Sequence, residues 1–327
     1  MKISICVPVY GVEKYIARCA VSLFEQSYKD IEYVFVNDCT KDRSIDILNN
    51  VIEKYPFRKK NIKIVSHDHN RGLSAARNTG VANATGLFLM HVDSDDYIEK
   101  DAVRLLVEKQ KEGNYDIVFS YANRYHSRYV DVIKYPLSLS SHEMTIKFLK
   151  REIDCYVWGK LIRKSLYSDN NIHAIEGLNS GEDFQVITLL TLHSKSIIVV
   201  PEILYHYSFD NIYSESSQKG VWKSEEYEKS SDYVYKKVLE KYDRDFAEAI
   251  IIGKLRTIVS KQLNVAHRGY RDYYDIILSR KKQINKKYYK YVNWKYKLPL
   301  YINNYYLIKF YYFIFSKINK VYKIICN

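Results

Sequence analysis

Apolar residues in the first third of the chain fall into short runs that alternate with helical stripes. Ile3 to Val9 is a β-branched run closed by Pro8 and Gly11, which predicts a short buried strand. Glu13 to Gln26 follows, with Ile16, Ala20, Leu23 and Phe24 on one helical face. Ile31 to Val36 reads as a second strand running into Asn37 and Asp38. Asp42 to Tyr55 reads as a helix, with Asp42 in the N-cap position and Ile45, Leu48 and Ile52 inside. Asn61 to Val65 is a third strand, Leu73 to Ala84 an Ala-rich helix, and Leu87 to Val92 a fourth strand. Such alternation with short connections predicts an α/β fold, a mostly parallel sheet with helices on both faces.

The rhythm loosens further on. Asp101 to Lys111 reads as helix, Asp116 to Tyr121 as strand, and Arg124 to Tyr135 as a hairpin arm. His142 to Arg151 is helical in pattern, Tyr156 to Leu166 is aromatic and basic, and Gly181-Glu182-Asp183 opens a helix through Leu192. Ser196 to Val200 and Ile203 to Ser208 read as two short strands. Beyond Gly220 the pattern becomes long, charged and helical, with little Gly or Pro. A boundary near residue 215 is expected, dividing a catalytic-type domain (1–215) from a basic, mainly helical C-terminal region (216–327).

Charge sharpens that division. The net charge of +13 is carried by the last third: Lys219 to Asn327 holds 24 Lys+Arg against 10 Asp+Glu. From Ile276 onward there are 12 basic residues and no acidic one, so the tail is expected to meet an anionic partner. From Leu298 to Ile325, Tyr, Phe, Ile and Leu mix with single lysines (Lys309, Lys317, Lys320, Lys323), while Asn303 and Asn304 interrupt the run. No run of ~18 apolar residues occurs, so an in-plane helix or helical hairpin on an anionic membrane is expected rather than a span. A helical lid packed on the catalytic domain is the alternative. The five cysteines are scattered with no CxxC spacing, which points to neither a disulfide framework nor a zinc site and fits a reducing cytoplasm. The start, MKISICVPVYG, is too short and too soon polar for a signal peptide.

The densest chemistry lies between Asn70 and Tyr97. The fourth strand runs straight into Asp93-Ser94-Asp95-Asp96. Carboxylates are costly to bury without partners, so this stretch delivers negative charge to the carboxyl edge of the sheet, where open α/β folds bind ligands. Grouped carboxylates suit a hard divalent ion, and such an ion commonly carries a phosphate. Pro8-Val9-Tyr10 and Asn37-Asp38 end two other strands, so three polar strand ends can converge on one ligand. No Walker loop or GxGxxG appears, which argues against P-loop and dinucleotide folds.

Taken together, Pro8-Val9-Tyr10, Asn37-Asp38, Asn70-Arg71-Gly72, Ala76-Arg77-Asn78-x-Gly80, Gly86 and Asp93-x-Asp95-Asp96 resemble glycosyltransferase family 2 over about residues 1–210. The resemblance implies the GT-A fold and an inverting transfer from a nucleotide sugar, a UDP-sugar in the usual case. It implies that Pro8, Tyr10 and Glu13 border the nucleoside, Asp38 bonds the base, and Arg71 lies near the base or pyrophosphate. It implies Asp93 on the ribose or metal side and Asp95 on a Mn²⁺ or Mg²⁺ ion. His206, between Tyr205 and Tyr207, is a candidate to complete the metal site, with a packed histidine as the alternative. Gly181-Glu182-Asp183 resembles the family's Glu-Asp pair, implying Asp183 as general base with Glu182 as helper. Trp158-Gly159-Lys160-Leu161 resembles the family's aromatic-x-Lys-Leu segment, implying Trp158, Lys160 and Asp96 on the acceptor side. Arg77 and Asn78 read more simply as ties between the Ala-rich helix and its loop.

The expected function is therefore a metal-dependent glycosyltransferase building a cell-surface polysaccharide on a glycan or lipid-linked acceptor. The expected location is cytoplasmic, peripheral at the inner face of the membrane. Two other classes compete. A nucleic-acid binder would use the basic, Tyr-rich tail, but no nucleic-acid module is present there. A nucleotidyltransferase would carry a basic Gly-rich N-terminal loop, which Val7-Pro8-Val9-Tyr10-Gly11 lacks.

Overall fold

The computed structural model describes residues 1–208, 221–240, 244–268, 271–291 and 294–314. The chain divides into two compact units. One comprises Met1–Thr145 with Asp154–Lys236, the other Ile146–Ile153 with the described residues from Lys237 on. The boundary expected near residue 215 falls outside the described residues.

Among the described residues, the first unit is built on a nine-stranded mixed sheet. Strands β1 (Ile3–Val9), β2 (Ile31–Asn37), β3 (Ile62–Ser66) and β4 (Phe88–His91) are mutually parallel, in the order β3-β2-β1-β4. Ile3, Ile5, Val7 and Val9 of β1 are fully buried. Each such side chain stabilises the fold by roughly 1.5–3 kcal/mol relative to exposure, which is why this run reads as strand. The intervening helices are α1 (Ile16–Phe24), α2 (Ser44–Glu53), the single turn α3 (Pro56–Lys59) and α4 (Leu73–Asn83). The helix expected over Asp42 to Tyr55 is shorter, because Pro56 starts a separate turn.

Past β4 the sheet departs from the parallel pattern. Strands β5 (Tyr97–Ile98), β6 (Ile117–Tyr125), β7 (Val130–Ile133), β8 (Lys160–Arg163) and β9 (Ile197–Ser208) complete it. β8 lies between β4 and β6, antiparallel to both. The aromatic and basic stretch around Leu161 is thus a central strand. The two short strands expected at 196–208 are one strand, β9, whose pairing with β6 shifts register between Ser120 and Ala122. Pro201, which cannot donate to a ladder, lies at that irregularity. Helix α5 (Ala102–Gly113) packs on β6 and β9, α6 (Ser141–Leu149) and α7 (Ser165–Asp169) follow, and α8 (Glu182–His193) begins at the expected Glu-Asp pair, ahead of α9 (Val221–Leu239).

The second unit is helical. It contains α10 (Arg244–Arg268), α11 (Arg271–Lys282), a 3-10 turn at Lys286–Tyr291, α12 (Trp294–Tyr301) and a helix over 305–314. Its core gathers Leu255, Val259, Leu263, Tyr274, Ile277, Leu300 and Ile308. Among the described residues no helix is long and apolar enough to cross a membrane. Lys317, Lys320 and Lys323 lie outside the described residues.

Candidate active site

Parallel pairing aligns the strand ends. Val9 faces Asn37 and Cys6 faces His91, so the polar residues that follow β1, β2 and β4 emerge along one edge. Pro8 is half-buried in β1, and Tyr10 just beyond it is 51% exposed. Glu13 is exposed, and its carboxylate accepts the Arg43 N–H at 3.2 Å. Asp38 is buried. Its Oδ1 accepts the Arg71 N–H and its Oδ2 the Gly72 N–H, both at 2.8 Å, and Oδ1 also pairs with the His67 ring at 2.7 Å. One carboxylate therefore shapes the whole turn before α4.

That turn is locked from the far side of the sequence. Gly72 has φ +86°, a conformation natural to glycine, and a Cβ there would run into the Asn179 side chain. Asn179 Oδ1 accepts the Ser74 N–H at 3.2 Å, and Ser74 Oγ donates to the Leu178 carbonyl at 2.6 Å. Asn179 thus supplies the N-terminal cap that α4 lacks in its own sequence. Beside it, Arg71 Nη2 bridges both carboxylate oxygens of Glu176 at 3.0 and 2.9 Å.

At the centre sits Arg77, buried on α4. Nη2 donates to both oxygens of Asp93 at 2.9 and 3.2 Å, and Nη1 to Glu182 Oε1 at 2.9 Å and Asp183 Oδ1 at 2.8 Å. One cation faces three carboxylates, so the cluster keeps excess negative charge. Burial opposes the guanidinium's charge, yet Asp183, Asp93 and Glu182 hold it firmly protonated. Burial, then neighbouring Asp183, pushes Glu182 up to about 8, with Arg77 opposing. Burial raises Asp183 as well; Arg77 pulls it back and Asp93 adds to the rise. Gly181, at φ +86° beneath Tyr227, turns the chain so that both acids enter the first turn of α8. Asp183 Oδ1 takes the Arg77 bond and the Val157 N–H at 3.2 Å. Its side chain is 19% exposed, and Oδ2 has no protein hydrogen-bond partner among the described residues.

Asp96 is fully buried, accepting the Tyr205 hydroxyl and the Ser208 N–H, each at 2.7 Å. Tyr205 in turn accepts the Asp93 N–H at 3.1 Å. Arg18 ties the Asp95 carbonyl at 2.8 Å to Ser208 Oγ at 2.7 Å. These bonds fix the aspartate loop to the end of β9. Asp96 is thereby a structural anchor and not a group open to an acceptor.

Three other expected positions are differently placed. His206 has both ring nitrogens engaged, with Glu99 at 2.7 Å and Tyr125 at 3.0 Å, and stacks on Tyr97. Both Asp93 oxygens face Arg77. Among the described residues no group of three or more His, Cys, Asp or Glu side chains gathers where a metal ion could sit, so the trio of Asp93, Asp95 and His206 does not form. Trp158 is 2% exposed, stacked on Tyr156 at 4.4 Å and Tyr205 at 4.3 Å, which leaves no face for a sugar. Lys160 is also buried. Its Nζ donates to the Trp158 carbonyl at 3.0 Å and Tyr135 Oη at 3.1 Å among three rings, and burial lowers it to about 7.

Comparison with known proteins decides the family. Residues 4–169, half of the chain, match the family described as "Glycosyl transferase family 2". The chain belongs to glycosyltransferase family 2. The Bacillus subtilis (strain 168) protein named "Uncharacterized glycosyltransferase EpsJ" is 34% identical over 213 residues, 63% of this chain and 60% of that protein. The Staphylococcus aureus (strain Mu50 / ATCC 700699) protein named "Poly(ribitol-phosphate) beta-N-acetylglucosaminyltransferase TarS" is 32% identical over 64% of this chain and 35% of its own length. The alignments thus span three fifths or less of these family 2 relatives. A crystal structure of S. aureus TarS 1-349 in complex with UDP-GlcNAc superposes with a TM-score of 0.75 at 23% identity, covering 98% of this chain and 92% of that one. The fold is accordingly GT-A followed by a helical region.

Within this family 2 site, sequence reasoning found the carboxylates and underrated what joins them. Arg77 was visible in Ala76-Arg77-Asn78, but its three partners lie 16, 105 and 106 residues away. Asn179, Glu176 and Tyr205 carried no local signal at all.

Proposed function

We propose that this chain is an inverting, metal-dependent glycosyltransferase with a UDP-sugar donor and a hydroxyl of a cell-surface glycan or its lipid-linked precursor as acceptor. The observation that carries the reading is the Arg77 cluster, which sets the Glu182-Asp183 pair beside the Asp93-Asp96 loop. Asp183 Oδ2 takes the acceptor hydroxyl's proton while that oxygen attacks the anomeric carbon. The new C–O bond forms on the face opposite the leaving diphosphate, which departs with the electron pair of the broken bond. Arg77 keeps Asp183 oriented and opposes its protonation. Glu182, pushed up to about 8, is largely protonated near neutrality and limits the negative charge around the base.

The donor side is read from Tyr10, whose exposed ring offers a stacking surface for the base, and from Arg71, whose guanidinium suits a pyrophosphate. Asp38 acts by shaping the Arg71-Gly72 turn. A divalent ion held together with the donor's own phosphates would take its protein carboxylate from Asp95, in the middle of the Asp93-Ser94-Asp95-Asp96 loop. When bound, that ion would neutralise charge growing on the diphosphate. The relative named for poly(ribitol-phosphate) supports a polyol-phosphate or polysaccharide acceptor. A lipid-linked acceptor would place the protein at the inner membrane face, in keeping with the basic tail. The test is anomeric NMR of the product formed from an α-linked UDP-sugar. A β-linked product is expected, and retention would overturn the single-base mechanism.

A further inference from the structure

The helix over 305–314 carries apolar residues on two opposite sides. Ile308 is fully buried in the core of the second unit, with Tyr305, Tyr311 and Tyr312 packed partly buried beside it. On the other side Leu307, Phe310 and Ile314 are 58%, 62% and 41% exposed, next to the largely exposed Tyr306 and Phe313. At 3.6 residues per turn the outward five fall within about a third of the helical circle and the inward four within another third. The outward side of a surface helix is ordinarily polar. Several large apolar residues on one exposed face mark an interaction surface.

The charge of the surrounding chain selects the partner. From Ile276 to Asn327 there are 12 basic residues and no acidic one, and Lys309 borders the exposed face. A second copy of this chain would bring like charges together, which opposes self-association. An anionic bilayer answers both features, headgroups for the lysines and an acyl boundary for the apolar side chains. We propose that this face seats in the interface of an anionic membrane, with Leu307, Phe310 and Ile314 entering the acyl boundary and Lys309 reaching back to the headgroups. It deepens the proposed function, and rests on it only for the purpose of docking, which is access to a lipid-linked acceptor.

The experiment is co-sedimentation of the full chain with vesicles of phosphatidylglycerol and phosphatidylcholine, or of phosphatidylcholine alone. The wild type should partition into the anionic vesicles and about tenfold less into the neutral ones, with binding weakening as salt rises. The triple variant L307S/F310S/I314S keeps every lysine and should lose about tenfold in partitioning. On the unaltered chain, amide exchange over 305–314 should slow when anionic vesicles are added; this arm stands even if the variant folds poorly. Unchanged partitioning of a folded variant would overturn the proposal, as would unchanged exchange over 305–314. So would a wild type that ignores anionic vesicles, or one whose variant merely converts a dimer to a monomer in sedimentation velocity. UDP-sugar hydrolysis and transfer to a water-soluble acceptor stay at wild-type rates in the variant. If the wild type itself lacks them, the functional reading fails and the membrane result stands.

Discussion

A single guanidinium holds three acidic side chains in place, and the consequences at this scale are specific. Asp183→Asn keeps the shape but cannot take a proton, so turnover should fall by about 10²–10⁴ with donor binding near normal. Isothermal titration with UDP alongside steady-state rates separates the two. Burial and Asp93 raise Asp183 while Arg77 lowers it. The acid limb of the rate profile should therefore lie above the ordinary carboxylate range near ~4, and Arg77→Lys, with fewer and less directed donors, should move it to higher pH. An unmoved limb in an active Arg77→Lys protein would contradict that electrostatic role. Glu182 carries a sign for stability. Its folded value of about 8 exceeds the ordinary value of 4.5, so between them the native state binds more protons than the unfolded chain. Its contribution is fully favourable below that window and falls as pH rises through it; Glu182→Gln should flatten this slope in urea titrations. The acidic side chains proposed to bear the chemistry could be picked out in the sequence because Asp-x-Asp-Asp and Gly-Glu-Asp are local. Roles were less legible: Asp96, Trp158 and Lys160 turned inward because Tyr205, Tyr156 and Tyr135, remote in sequence, cover them.

Among elements, the junction between α4 and the loop before α8 matters most. α4 has no side-chain cap of its own, and Asn179 reaches in from a segment a hundred residues downstream. Asn179→Ala should cost about 1 kcal/mol, read as a lower urea midpoint. Gly72→Ala should cost more, since it meets both a positive φ and the Asn179 side chain. Equal effects would mean that the close approach is relieved by movement of Asn179. Strands β1 to β4 were legible because buried parallel strands are continuous apolar runs bounded by turns. β8 was not, because Lys160-Leu161-Ile162-Arg163 has too few apolar residues, and only its neighbours on both sides make it central.

For the whole molecule, the first two thirds of the sequence have the electrical balance of an ordinary enzyme, and the excess positive charge follows in the last third of the sequence. The charge asymmetry and the GT-A core were both legible from composition and order of motifs. The inward and outward faces of 305–314 were not, because Tyr, Phe, Leu and Ile occur on both and only packing tells them apart. Donor binding should stabilise the folded chain by mass action, about 2.7 kcal/mol at a hundredfold excess over Kd. A thermal shift with UDP and Mn²⁺ should reveal it, chelation should diminish it, and Asp95→Asn should remove its dependence on the ion. A shift of full size in the presence of chelator would rule out the metal assignment.

The ring stack of Tyr156, Trp158 and Tyr205 also gives the protein an optical voice. Tyr205 touches the Asp93 N–H and the Asp96 carboxylate with the same hydroxyl that ends the stack. A change in the aspartate loop when donor arrives would alter the stacking on Trp158, and with it the emission wavelength and near-ultraviolet dichroism of the indole. Replacing Trp222 and Trp294 by Phe would leave that indole as the sole tryptophan signal of the chain, a built-in gauge of donor occupancy that needs no label.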